Sequence, residues 1–255
     1  MYTYIYSFQS EWLKKRRSAA SWLTVSGALL VPAIILFVRF YESGGLAAAN
    51  RSDHLWENLY NRSWEFMAFF LLPMGVVLAT SLITQLEFRN NAWKQVCTTP
   101  QSLTTIFLAK ASVILLMLLQ FFLLFNLGIW LEGALPSLLR GVPYPAERFP
   151  LTAFLRSNGK FLLDCLPIVA LQYLVSLLFR NFMVPLGVGL GLYVASMIAA
   201  HWKYGYIVPY TYSILAFIGK RSPSASVNVQ AWAAGYFVVF MILGYILYIT
   251  KKEKG

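Results

Sequence analysis

The chain has 255 residues, 58% of them hydrophobic and 12% charged, with a formal net charge of +11. Soluble domains carry about 25% charged and about 45–50% apolar residues. An ordinary soluble enzyme, a disordered chain and a secreted disulfide scaffold are therefore disfavoured together, and lipid is the expected solvent.

Met1, Ile5, Phe8 and Trp12 fall on one helical face, followed by Lys14, Lys15, Arg16 and Arg17. This predicts an interfacial amphipathic helix over 1–17, its basic residues meeting anionic lipid. A disordered basic tail is the alternative. Charge-poor apolar runs then recur. A hydrocarbon core about 30 Å thick needs roughly 20 apolar residues at 1.5 Å rise. Runs of that kind place six spans at about 18–40, 66–86, 108–131, 160–179, 183–202 and 231–250. A transmembrane β-barrel would need strands of about 10 residues with alternating polarity, and these runs are unbroken. The first run is longer than a signal-peptide core, and Arg39, Tyr41 and Glu42 separate it from Ala47-Ala48-Ala49, so it reads as an uncleaved span.

Between the spans, 41–65 is polar. Residues 133–159 hold Pro136, Pro143, Pro145 and Pro150 and read as a loop or short turns. The stretch 203–230 is unusually aromatic for an aqueous loop. The stretch Glu87 to Lys110 is mixed: Glu87, Arg89, Asn90, Asn91, Lys94 and Gln95 are polar, while Phe88, Ala92, Trp93 and Val96 supply an apolar stripe. Pro100 ends that helix, Ser102 or Thr104 caps the next, and Lys110 at the foot of the third span is placed to snorkel to the interface. The pattern fits an interfacial loop with an anchoring Trp equally well as a docking helix for a soluble partner.

Both termini, 87–110 and Arg180 lie on one side of a six-span chain. That side holds 11 of the 21 basic residues and three of the ten acids, with the basic residues hard against the span ends. Both termini are therefore expected in the cytoplasm.

Within the spans few residues are able to carry chemistry. Asp164 is the one acid well inside a proposed span, with Lys160 one turn before it, and the two are expected to pair as a possible intramembrane polar site. Arg39 and Glu65 are a second possible pair. Gln120, Asn126 and Gln172 read as polar glue between helices. Gly187, Gly189 and Gly191 allow close helix approach, either in a dimer contact or in internal packing. No GxxxxGK[ST], HExxH or GxSxG motif occurs, so a P-loop, a zincin site and a serine-hydrolase elbow lose their usual signatures. Cys97 and Cys165 are too few for a disulfide framework, two histidines leave little material for a metal site, and no nucleic-acid partner is expected.

The order Glu87, then Asn90-Asn91-x-Trp93-Lys94, then Pro100, then Lys110 resembles the permease subunits of type-2 ABC exporters, closest to the lantibiotic-immunity and peptide-resistance branch. The resemblance covers the layout of the whole chain as a single transmembrane domain. It implies an all-α polytopic fold with six transmembrane helices, an N-terminal elbow helix, a coupling segment at 87–105 and outer re-entrant helices at 203–230. By the same resemblance Glu87, Asn90, Asn91, Trp93 and Lys94 dock an ATP-binding subunit, and Pro100 and Lys110 frame the turn into the third span. It further implies a second permease subunit, identical or paralogous, placement in the cell inner membrane, and ATP and Mg held by the partner ATPase rather than by this chain. Export of an amphipathic or hydrophobic substrate, an antimicrobial peptide among the candidates, is the implied activity. A stand-alone secondary transporter or a membrane-integral enzyme is the alternative; a proton-coupled carrier would need ionisable groups near the midplane of several spans.

Overall fold

The computed structural model describes residues 2–16, 18–41, 43–89, 101–179, 181–219 and 227–252. Among the described residues every regular element is helical. We number the α-helices α1 (Tyr2–Arg16), α2 (Ala19–Tyr41), α3 (Leu46–Asn50), α4 (Leu55–Phe66), α5 (Leu72–Arg89), α6 (Leu103–Arg140), α7 (Leu151–Leu178), α8 (Met183–Ala199), α9 (Tyr212–Ile218) and α10 (Val229–Lys252). A π-turn over Met67–Leu71 joins α4 to α5. Ala19–Tyr41, Leu55–Leu86, Leu103–Arg140, Leu151–Leu178 and Val229–Thr250 are long and apolar enough to cross a membrane. The chain is an all-α polytopic membrane protein. The run expected at 183–202 is the shorter α8, whose 17 residues reach about 26 Å at 1.5 Å per residue.

Local signals set several ends. The Ser18 hydroxyl accepts from the Ser21 N–H ahead of α2, and the Ser102 hydroxyl accepts from the Thr105 N–H at 3.2 Å and caps α6. Asn228 does the same for α10 through the Ala231 N–H. Gly141 ends α6 in the left-handed region at φ 65°.

Two segments read as loops are more ordered than their composition suggests. The polar stretch 41–65 contains α3 and α4, and the proline-bearing stretch 133–159 is helical at both ends. Pro136 costs α6 one backbone bond near its end without stopping it. Close packing holds this part of α6 in place. A Cβ on Gly128 would lie 2.7 Å from Pro32 of α2, and one on Gly133 would lie 2.3 Å from the ring of Trp56 in α4. The two glycines are the recesses into which a ring from each neighbour fits.

The π-turn has a similar local cause. Pro73 has no N–H to offer the Phe69 carbonyl, which at membrane depth has no water to replace it. The Tyr193 hydroxyl of α8 donates to that carbonyl at 2.6 Å. Tyr193→Phe should therefore lower stability by about 1 kcal/mol. Unfolding in mixed micelles measures it, and an unchanged midpoint would show that the carbonyl has another partner.

Gly27 faces Phe121 and Pro32 faces Gly128, so α2 and α6 run parallel. Ser63, just before the π-turn, meets Glu132 near the far end of α6, so the α4–α5 span runs antiparallel to both. Trp64 sits at the centre of the core with no exposed surface. Its ring stacks on Phe161 at 3.8 Å between centroids and also meets Phe122, Phe125 and Tyr60, joining the α4–α5 span to α6 and α7.

Candidate functional site

The first three turns of α6 collect polar ties to three other helices. Thr104 hydrogen-bonds the Tyr245 hydroxyl of α10 at 2.7 Å, and Tyr173 of α7 donates to the Phe107 carbonyl at 3.0 Å. Lys110 is an ion-pair partner of Glu11 of α1 at 3.9 Å, and Ser112 bonds the Tyr4 hydroxyl at 2.8 Å. The end of α5 is held as well: the Gln85 amide donates to the Phe179 carbonyl at 2.8 Å, at the end of α7. The end of α5 and the start of α6 are thus each tied to other helices of the bundle.

The helix α1 does form, but a polar stripe faces the protein. Ser7, Glu11 and Lys15 are buried against α6, Phe8 and Trp12 are half-buried beside them, and Ile5 is exposed. Glu11 pairs with Lys14 as well as Lys110. Lys15 donates to the Gln120 side-chain oxygen at 2.7 Å and lies over the Trp12 ring. Burial lowers the Lys15 amine below the ordinary lysine value. Two expectations change accordingly. Lys15 turns inward rather than toward lipid headgroups, and Lys110, 3% exposed, pairs with α1 instead of snorkelling. The causes differ: the Glu11 carboxylate draws Lys110 to α1, while Lys15 is held by the Gln120 oxygen and the Trp12 ring. Arg16 is exposed, and Arg17 lies outside the described residues.

Of the expected docking positions, Glu87 falls in the last turns of α5. Asn90, Asn91, Trp93, Lys94 and Pro100 lie outside the described residues.

Asp164 is fully buried, accepting from the Gln230 amide of α10 at 3.5 Å, while its other oxygen has no hydrogen-bond partner among the described residues. Lys160 is exposed, and no ion pair within 4 Å joins it to Asp164. The lysine gains more from water than from following the carboxyl into the bundle. The three glycines of α8 separate. Gly189 is buried, where a Cβ would meet Val77 at 2.5 Å and Gln172 at 2.8 Å; Gly187 and Gly191 are exposed with open space beside them. The polar glue residues each bridge helices. Gln120 receives Lys15, Asn126 accepts from Asn158 of α7 at 2.8 Å, and Gln172 donates to Ser81 and to the Pro185 carbonyl while accepting from Tyr210.

One buried acid escaped sequence reasoning. Glu132 falls just past the expected end of the third span, yet it has no exposed surface. It accepts from Ser63 at 3.2 Å and lies within electrostatic range of Arg39. Arg39 donates to Asn50 at 2.6 Å, and Asn50 in turn donates to the Pro143 carbonyl. Arg39 is therefore within electrostatic range of Glu132, with no ion pair within 4 Å, while Glu65, its expected partner, is exposed. The available signal was Gly128 and Gly133 flanking the acid at helix-packing positions, which argues that α6 continues in contact there.

A bundle of long apolar helices whose α6 is tied near its start to three others is the frame of a polytopic membrane protein. The family model described as "ABC-2 family transporter protein" matches residues 7–196, and the chain belongs to this family. No curated protein and no solved structure matches the chain. As an ABC-2 transporter protein it is a membrane, transport component rather than an enzyme.

Proposed function

We propose that this chain is the permease subunit of an ABC exporter in the cell inner membrane, with both termini cytoplasmic. ATP and Mg are held by a separate ATP-binding subunit that docks on the segment from Glu87 through Asn90, Asn91, Trp93 and Lys94 to Pro100. The observation that carries the coupling is the set of ties at the foot of α6, where Thr104, Phe107, Lys110 and Ser112 engage α10, α7 and α1. Closure of the ATPase pushes the docked segment, and those ties convert the push into a shift between two arrangements of the bundle.

Capture of the ATPase by the tagged permease tests the docking. Trp93→Ala combined with Lys94→Glu should reduce capture at least tenfold. Glu11→Gln should leave capture intact but lower transport several-fold, because it loosens α1 from α6 without touching the docking face. Undiminished capture in the double variant would overturn the docking positions.

The substrate is an amphipathic or hydrophobic molecule, an antimicrobial peptide being one member of that class. ATPase stimulation by a substrate panel distinguishes peptides from lipids and drugs. Two permeases pair, identical or paralogous. Gly187, Gly191 and Ala195 recur every fourth residue on the exposed side of α8 and suit close helix approach. For an identical pair, Gly191→Cys should form a disulfide-linked dimer in native membranes, whereas Leu247→Cys on the exposed face of α10 should not. Crosslinking at both sites or at neither would remove α8 from the interface.

A further inference from the structure

Between α2, α5 and α6 lies an apolar cavity of about 150 Å³ that none of the function above uses. Its floor is Ile114, Met117, Leu118 and Phe121 of α6. Its mouth is formed by half-exposed residues, Leu23 and Gly27 on α2 and Met74, Gly75 and Leu78 on α5, so it opens sideways between those two helices. Leu23 to Gly27 lie within the first two and a half turns of α2, and the opening is bounded by spans, so hydrocarbon rather than water lies outside it.

Two threonines line this groove. Thr24 takes the usual course for a hydroxyl in a helix and donates to the Ala20 carbonyl at 2.8 Å. Thr84, one turn further along α5, does the same to the Thr80 carbonyl. Thr80 does not. It is 1% exposed, lines the cavity, and its hydroxyl has no hydrogen-bond partner among the described residues. An unpaired hydroxyl in such surroundings costs about 1–3 kcal/mol. The cavity thus offers a long apolar wall and one donor seeking an oxygen. Because α5 runs antiparallel to α2, Thr80 lies toward the end of the groove nearest the start of α2. Thr24, at that same end, is five residues, about 7 Å, inside α2. An oxygen at that depth followed by hydrocarbon toward the bilayer centre is the pattern of a phospholipid chain, with its ester carbonyl near the interface and its tail inward.

We propose that this groove is a lipid site that takes one acyl chain of a diacyl phospholipid from the leaflet bearing α1, with the Thr80 hydroxyl donating to the chain's ester carbonyl. The site lies within one chain and is independent of the docking segment. A chain seated there wedges α2 from α5 and so sets the spacing of two spans that flank the coupling hub.

The full chain in nanodiscs of phosphatidylglycerol and phosphatidylcholine, doped with a phosphatidylcholine bearing a diazirine on one acyl chain, provides the test. Photolysis followed by peptide mass spectrometry should place label on the peptides carrying Gly27, Met74–Thr80 and Met117. Gly75→Leu fills the groove, and the added Cβ meets open space, so the helix is preserved. It should cut that labelling at least fivefold while labelling at the lipid-facing Ile242 and Ile246 stays constant. An ether-linked analogue, which has no carbonyl, should label the groove about threefold less than the ester in the unsubstituted protein. In Thr80→Val the two lipids should label it equally. Even labelling of all lipid-facing helices, unchanged by Gly75→Leu, would overturn the site. Equal labelling by ester and ether in the unsubstituted protein would overturn the contact with Thr80.

Discussion

Replacement of Arg39 by alanine should destabilise the protein by about 1–3 kcal/mol, the cost of leaving the buried Asn50 oxygen without its donor. Arg39 is 8% exposed near the end of α2, bonded to Asn50 and within electrostatic range of Glu132, which has no exposed surface. Removing the guanidinium leaves the Glu132 carboxyl with Ser63 alone. It also deprives Asn50 of a donor. Asn50 holds the loop after α6 through the Pro143 carbonyl and receives the Ala146 N–H on its own carbonyl. The loop should therefore loosen as well. Unfolding in mixed micelles gives the free energy, and hydrogen exchange at Ala146 gives the local effect. A combined Arg39→Met and Glu132→Gln variant should recover at least 1 kcal/mol relative to the sum of the single changes, since the two groups act as a unit. A loss below about 0.5 kcal/mol on Arg39→Ala, an upper bound of order ordinary surface effects, would mean that these groups are solvated and the network carries no stability.

Trp64→Ala should cost more, about 3–5 kcal/mol, for a different reason. In a bilayer the surrounding lipid is as apolar as the core, so transfer from water contributes little between spans. What Trp64 contributes is contact. Its ring lies flat against Phe161 and edge-on to Phe125, with Phe122 and Tyr60 around it. Truncation empties the point where the α4–α5 span, α6 and α7 meet, and none of the rigid rings is able to move in without opening another gap. Trp22 provides the control: it is 75% exposed on α2, and its alanine variant should change stability by less than about 0.5 kcal/mol. Equal effects at the two tryptophans would indicate that lipid anchoring rather than core packing dominates.

Much of the molecule is legible from residue order because lipid restricts the backbone to few solutions. Charge-free runs of span length must be helical when every N–H and C=O needs an internal partner. Five of the six expected runs are helices long enough to span, and of the two candidate caps, Ser102 and Thr104, Ser102 is the one used. Polar side chains inside spans were readable as bridges for the same reason, and Gln120, Asn126 and Gln172 bridge helices. The order of residues from Glu87 to Lys110 was enough to suggest the family, whose model then matched residues 7–196.

What sequence order alone left open is where charges and small residues end up. Expected span ends followed the first charged residue, but α6 runs on past Glu132 to Arg140, because a buried acid with an arginine and a serine beside it need not end a helix. The partners that decide such cases are remote in sequence: Glu11 meets Lys110, Arg39 lies within electrostatic range of Glu132, and Tyr193 reaches Phe69. The glycines of α8 make the same point within five residues of one helix. Gly189 is pressed against Val77 while Gly187 and Gly191 look outward, a division set by the rotation of α8 on its neighbours. Composition and periodicity determined the solvent and the helices, because each is a local consequence of satisfying the backbone in hydrocarbon. Only the packed bundle decided which ionisable groups are buried, which helix faces remain open, and that Thr80 lines a groove with its hydroxyl unpaired. Those properties depend on the distances and rotations between helices, which no single stretch of chain encodes.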